Sequence, residues 1–216
     1  MNTLLKPLQI RETLLQKRVR TFTTHDFENI FHVSPTRAKY FLETQVDEGL
    51  LSRLKKGMYA LKTDLPSGEE IANNLYRPSY ISFEYALAYW GILPEMPYAI
   101  TSATTKPTRE FIVNNVAFTY NTIKPEAYTG YELTRTNTRT SLKGNKTLLN
   151  NISDTGAFLM AEPEKALVDY LYFVTLGKKM ENDRLYIEPG TLSRSKLMKY
   201  ARLYNRKRLI DLVKGL

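Results

Sequence analysis

The chain has 216 residues, 43% hydrophobic and 25% charged, a globular balance that excludes a fibrous or disordered polymer and leaves room for two small domains with separate cores. With no cysteine and two histidines it excludes a disulfide framework and a thiolate metal site, and it makes a zinc site hard to assemble. The net charge of +9 sits at the ends: residues 1–66 carry +4, residues 67–160 carry none and residues 161–216 carry +5, which favours polyanionic partners without naming one.

No run of about 18 apolar residues is present, and the opening MNTLLKPLQIRETLLQKRVR lacks a continuous apolar core. The expectation is a cytoplasmic protein with no membrane partner. Leu4, Leu8, Ile10, Leu14, Leu15 and Val19 recur at near-helical spacing and predict a helix from about Leu8 to Val19. The cations Lys17, Arg18 and Arg20 at its end fit either the helix dipole or a phosphate contact.

Thr24 is placed to cap a short helix whose Phe27, Ile30 and Phe31 form one buried face, with His32 and Val33 as the turn after it. Ser34 and Pro35 then start a second helix, because serine can satisfy an orphan amide and proline at the first position needs no donor. It should run to about Asp47, with Ala38, Phe41, Leu42, Gln45 and Val46 inward and Gly49 just past its end. Its other side carries Thr36, Arg37, Lys39, Tyr40 and Glu43. Arginine can pair bidentately with guanine, and lysine and tyrosine reach base edges or phosphates, so this face has the inventory for major-groove readout; an ordinary solvated helix face is the competing reading.

Residues 50–56 alternate Leu51, Arg53 and Lys55 against Leu50, Ser52 and Leu54, a strand pattern, before Gly57 allows a turn into a returning strand with Tyr59 and Leu61. Arg53, Lys55 and Lys56 would crowd the tip as phosphate contacts. Helix, turn, helix and basic hairpin together describe a winged helix-turn-helix, whose second helix enters the major groove of double-stranded DNA. The candidate DNA-binding residues are therefore Ser34, Thr36, Arg37, Lys39, Tyr40, Arg53, Lys55 and Lys56. His25 and His32 lie in the same stretch without a metal-ligand cluster and are expected to be structural or surface residues.

The polar break at Asp64, Pro66, Ser67 and Gly68 marks a domain boundary, giving domains 1–66 and 67–216, and Ser67 with Glu70 matches a capping box. Asn73 to Arg77 close that helix against Pro78. Ser82 opens another, FEYALAYW, ended by Gly91, with Phe83, Ala86, Leu87 and Trp90 on its core side. Strands are expected at Tyr98–Ala103, Phe111–Val113, Val116–Ile123 and Phe158–Ala161, with Asn114 and Asn115 as a hairpin turn. A helix from Pro163 places Ala166, Leu167, Tyr170, Leu171 and Val174 on one stripe. The C-terminal SRSKLMKYARLYNRKRLIDLVKGL reads as one or two amphipathic helices, Leu197, Ala201, Tyr204, Leu209 and Val213 inward. Lys196, Lys199, Arg202, Arg206, Lys207 and Arg208 form a basic surface, fitting either a solvated face or contact with DNA or RNA. The fold class is α+β: an N-terminal winged helix-turn-helix followed by a mixed α/β C-terminal domain ending in basic helices.

The segment LYRPSYISFEYALAYWGILPEMPYAITSAT, residues 75–104, with EPEKALVDYLY, residues 162–172, closely resembles the AbiEi antitoxin family of bacterial abortive-infection, type IV toxin-antitoxin systems. The likeness covers nearly the whole chain. It implies a bifunctional antitoxin, whose N-terminal unit binds inverted repeats in its own promoter as a repressor. Its second domain counters a nucleotidyltransferase toxin without a stable complex. Trp90 departs from the family pattern, where histidine is expected, which points to packing at that position.

No cofactor, metal or catalytic residue is expected. Glu162, Glu164 and Lys165 invite a nuclease reading, but carboxylates must converge on a cation for metal-dependent cleavage, and neighbours at a helix start diverge. Neither a nucleotide-binding glycine loop nor a serine or cysteine nucleophile motif is present. A plain winged-helix regulator with a ligand-sensing or dimerisation domain remains the alternative. Inverted repeats need two protomers and no heptad is readable, so the expected state is a monomer that pairs on DNA.

Overall fold

The computed structural model describes residues 5–135 and 156–216, a mixed α+β chain in two compact units, Met1–Leu75 and Tyr76–Leu216. Leu4, the first residue of the apolar spacing that predicts the opening helix, lies outside the described residues. The boundary expected at residue 66 falls nine residues later in terms of packing, because the helix after the polar break belongs with the first unit. No described helix is long and apolar enough to cross a membrane.

The first unit runs α1 (Pro7–Gln16), β1 (Thr21–Thr23), α2 (Thr24–Phe31), α3 (Pro35–Asp47), β2 (Leu51–Lys55), β3 (Met58–Leu61) and α4 (Gly68–Leu75). The strands form an antiparallel sheet in the order β1-β3-β2. Ile10, Leu14, Phe22, Phe27, Ala38, Leu42, Leu51 and Leu61 close one core, with Phe27 stacked between Phe22 and Phe41. Helix α1 stops before the expected Val19 because Arg18 takes a left-handed conformation, φ 53°.

Capping departs from expectation in two places. Thr23, not Thr24, caps α2: its hydroxyl accepts from the Asp26 amide at 3.1 Å, and the Asp26 carboxylate accepts from the Thr23 amide at 2.8 Å. This is a reciprocal box with aspartate in the third position. Ser34 precedes α3 without a side-chain cap, so proline alone sets that start. The expected box at α4 does form, Glu70 accepting from the Ser67 amide at 2.9 Å. Glu70 also accepts from Arg20 at 2.6 Å, while Arg20 donates to the Leu65 carbonyl, so Arg20 braces α4.

Strand β2 does not hold the expected two-residue alternation. A bulge between Arg53 and Lys55 shifts the register against β3, and Leu51 and Leu54, three apart, are both buried. Gly57 turns the hairpin at φ +75°, where a side chain would be strained, and its carbonyl accepts from the Thr24 amide.

The second unit contains β4 (Ser79–Ile81), α5 (Phe83–Tyr89), β5 (Ile100–Thr104), β6 (Arg109–Val113), β7 (Val116–Thr122), β8 (Tyr131–Arg135), β9 (Ala157–Ala161), α6 (Pro163–Thr175), α7 (Arg194–Leu203) and α8 (Lys207–Lys214). Its sheet order is β6-β7-β5-β4-β9-β8, parallel at β5/β7 and β4/β9 and antiparallel elsewhere. Asn114 and Asn115 turn β6 into β7 with positive φ at both positions, as the hairpin requires. Helix α6 packs against α5, α7 and α8 and is buried nearly all round, so its expected single stripe understates it. At Gly130, φ +75°, a Cβ would lie 2.6 Å from the Tyr200 ring, which fits α7 closely over the approach to β8.

Candidate nucleic-acid interface and a buried polar cluster

Helix α3 exposes the residues expected of it: Ser34, Thr36, Arg37, Lys39 and Tyr40 all face solvent, Tyr40 at 75% of its surface. Ala38, Phe41, Leu42 and Gln45 are buried on the other side, so the apolar stripe fixes the helix and leaves the polar one at the surface. No acidic residue lies in its first turn. A cleft of about 530 Å³ runs along this unit, lined by Gln9, Thr13, Phe31, His32 and Arg37 among others. His32 ends α2 in a left-handed conformation, φ 51°.

The three hairpin cations separate. Arg53 and Lys56 are exposed, whereas Lys55 is half-buried and donates from Nζ to the Leu75 carbonyl at 2.5 Å. Lys55 therefore satisfies an orphan carbonyl at the end of α4, and its expected place at a phosphate is corrected. The cause is the bulge, which turns it off the face that strict alternation would give it.

In the second unit the expected basic surface is likewise reduced. Lys199, Arg202, Lys207 and Arg208 are exposed. Lys196 is exposed as well and pairs with Glu162 at 2.8 Å; that hydrogen bond, with one from Tyr200, holds the Glu162 carboxyl below its ordinary value. Arg206 donates to the Thr175 carbonyl at 2.6 Å, closing the end of α6. Glu164 is buried and accepts from the Ser193 amide at 2.9 Å. Glu162 and Glu164 thus serve different partners and do not converge. Trp90, expected in the core, is half-buried, and its indole N–H donates to the Ala161 carbonyl at 2.9 Å.

A polar cluster that sequence reading missed lies at the centre of the second unit. Lys165 and Asp169, one turn apart on α6, have no solvent exposure and form an ion pair. Asp169 also accepts from Tyr80 at 2.9 Å, from Ser82 at 2.8 Å and from Tyr204. The ammonium of Lys165 lies near the rings of Tyr80 and Tyr204, 5.7 and 4.9 Å from their centroids. Burial pushes the Lys165 ammonium below its ordinary value, opposed by Asp169, while burial and the same carboxylate push Tyr80 and Tyr204 well up. Beside the cluster Phe83 sits at φ +59°, a strained conformation for a bulky residue. The sequence signal is a Lys and an Asp at i, i+4 in a largely apolar helix; their partners arrive from β4, from the residue before α5 and from the residue after α7.

This cluster joins four elements and is sealed from solvent, so its chemistry is that of a lock rather than a binding site. No protein-family model matches the chain, and no curated protein matches it either.

Proposed function

We propose that the chain is a winged-helix DNA-binding antitoxin: its first unit reads inverted repeats in its own promoter as a transcriptional repressor, and its second counteracts a nucleotidyltransferase toxin. The observation carrying the DNA-binding part is the exposed face of α3, Thr36, Arg37, Lys39 and Tyr40, on a helix anchored by its opposite side. Support comes from the order α1-β1-α2-α3-β2-β3 with the sheet β1-β3-β2, which is how winged-helix units are built. In this reading Arg37, Lys39 and Tyr40 contact base edges, Ser34 and Thr36 the flanking backbone, and Arg53 and Lys56 the phosphates beside the groove.

The antitoxin and autorepressor assignments rest on the likeness of residues 75–104 and 162–172 to the AbiEi family. They carry with them a cytoplasmic, cofactor-free, non-enzymatic protein that pairs as monomers on DNA and forms no stable toxin complex. The test titrates fluorescent duplex from the region upstream of the gene against a scrambled duplex. Preference for the upstream duplex, lost in Arg37→Ala, is the expected result; equal affinity for both ends the repressor reading. Co-expression with a neighbouring nucleotidyltransferase gene tests antitoxicity, and failure to restore growth rejects it.

A plain regulator with a ligand-sensing second unit is favoured by one observation, a cleft of about 290 Å³ lined by Trp90, Ile92, Pro163, Tyr186, Glu188 and Leu192. That volume lies at the lower end of small-molecule sites. Repression relieved by a metabolite, without any neighbouring toxin gene, would select this reading.

A further inference from the structure

From the second unit we infer that Lys106, Arg109 and Tyr76 form a clamp for the phosphate and base of a single-stranded nucleic acid, separate from the α3 face. Lys106 Nζ and the Arg109 guanidinium carbon both lie over the Tyr76 ring, 5.4 and 5.8 Å from its centroid, and Arg109 lies equally close to the Phe111 ring. Two like charges are thus gathered on one aromatic surface. Both side chains are exposed, and neither has a carboxylate partner among the described residues.

The loop that presents them is held by its own hydrogen bonds. Tyr76 donates its hydroxyl to the Pro107 carbonyl at 3.1 Å, Thr122 donates to the Lys106 carbonyl at 2.8 Å, and Thr104 accepts from the Lys106 amide at 3.2 Å. Thr108 and Thr122 hydroxyls meet at 3.0 Å. Arg109 opens β6 directly opposite Tyr120, whose ring packs edge-on against Tyr76 at 5.3 Å. The backbone that carries the two cations is therefore set before any ligand arrives, which limits the entropy lost on binding.

The chemistry selects the ligand. Two adjacent cations, one a planar guanidinium, suit a phosphate oxyanion. A base can stack on an arginine plane that itself rests on aromatic rings, but only a strand whose bases are unpaired offers that face. A duplex would use the charges and leave the aromatic layer idle.

The experiment titrates the full chain into a fluorescein-labelled single-stranded RNA of about 12 nucleotides at several salt concentrations. The double variant Lys106→Ala/Arg109→Ala should bind at least about tenfold more weakly, and the slope of log affinity against log salt should become shallower by about 1.4 for two lost phosphate contacts. Tyr76→Leu should weaken binding about threefold through the lost ring. The same variants should hold duplex affinity within about twofold, while Arg37→Ala should leave RNA binding unchanged. Thermal unfolding and circular dichroism verify that each variant is folded. Absence of RNA binding at low salt, or equal RNA affinity in wild type and the double variant, overturns the clamp. Binding of AMP as tight as that of the RNA assigns the site to free nucleotides and overturns the polymer.

Discussion

Helices α3 and α6 begin alike and end in opposite environments. Each is 13 residues long, each has proline at its start, and neither receives a side-chain cap from the residue before it. Yet α3 buries four residues on one side, whereas α6 buries ten, including Glu164, Lys165 and Asp169. Local signals thus set where a helix starts, and its neighbours decide what its charges can do. On α3, Arg37 and Lys39 face solvent, where a polyanion can reach them. On α6, Lys165 must have its partner inside the protein, because an unpaired buried ion costs several kcal/mol.

That contrast breaks most visibly at Asp169. Asp169→Ala should leave Lys165 buried without its carboxylate and destabilise the chain by about 3–5 kcal/mol, read from the shift in urea unfolding midpoint. Lys165→Met/Asp169→Asn removes both charges while keeping an acceptor for the Tyr80, Ser82 and Tyr204 hydroxyls, and should cost less than Asp169→Ala; equal losses in the two variants would show that the ion pair does not govern this helix. Next in size, Arg37→Ala on α3 should lose about 1–3 kcal/mol of binding to the upstream duplex and little on scrambled DNA, with stability unchanged. Arg53→Ala/Lys56→Ala should instead weaken both duplexes alike and reduce the salt slope by about 1.8, while Lys55→Ala should show its main effect in unfolding, where a helix-end contact is lost.

The smallest effect is at the cap of α2. Thr23→Ala should cost about 1 kcal/mol. The hydrogen bonds from Thr23 hold the Asp26 carboxyl below its ordinary 3.8. A carboxyl lowered in the folded state contributes stability that is present above its unfolded value and is lost as pH falls through the folded one. Unfolding followed from pH 6 down to about pH 2 should therefore show a shallower acid loss in Asp26→Asn than in wild type.

What the sequence made legible was local. Pro35, Asp47 and Pro163 are helix bounds in the structure as expected, Ser67 and Glu70 form their box, and Asn114–Asn115 turns its hairpin. Strands β1, β4 and β8 escaped because their order is supplied by partners far along the chain: Thr21–Thr23 pairs with 58–60, and the fully buried Ser79–Ile81 has no alternation to betray it. The central cluster escaped for the same reason, Tyr80 and Ser82 reaching Asp169 across 89 and 87 residues. The cap of α2 is legible in the doublet, since Thr23 stands three before Asp26 whereas the expected Thr24 stands three before Phe27. The exposed face of α3 is readable because one periodic stripe defines both its sides, whereas Arg206 looks like its neighbours in sequence and is drawn to the Thr175 carbonyl.

The bulge in β2 has a consequence for insertions and deletions. Arg53, Lys55 and Lys56 are near neighbours along the chain, but the extra residue changes the phase of the pleat and sends Lys55 to the end of α4 while Arg53 and Lys56 stay outside. Deleting one residue at this point would restore an unbroken ladder and remove the phase change between Arg53 and Lys55. The number of residues in the hairpin, rather than its content of lysine and arginine, sets how many cations it offers to a ligand.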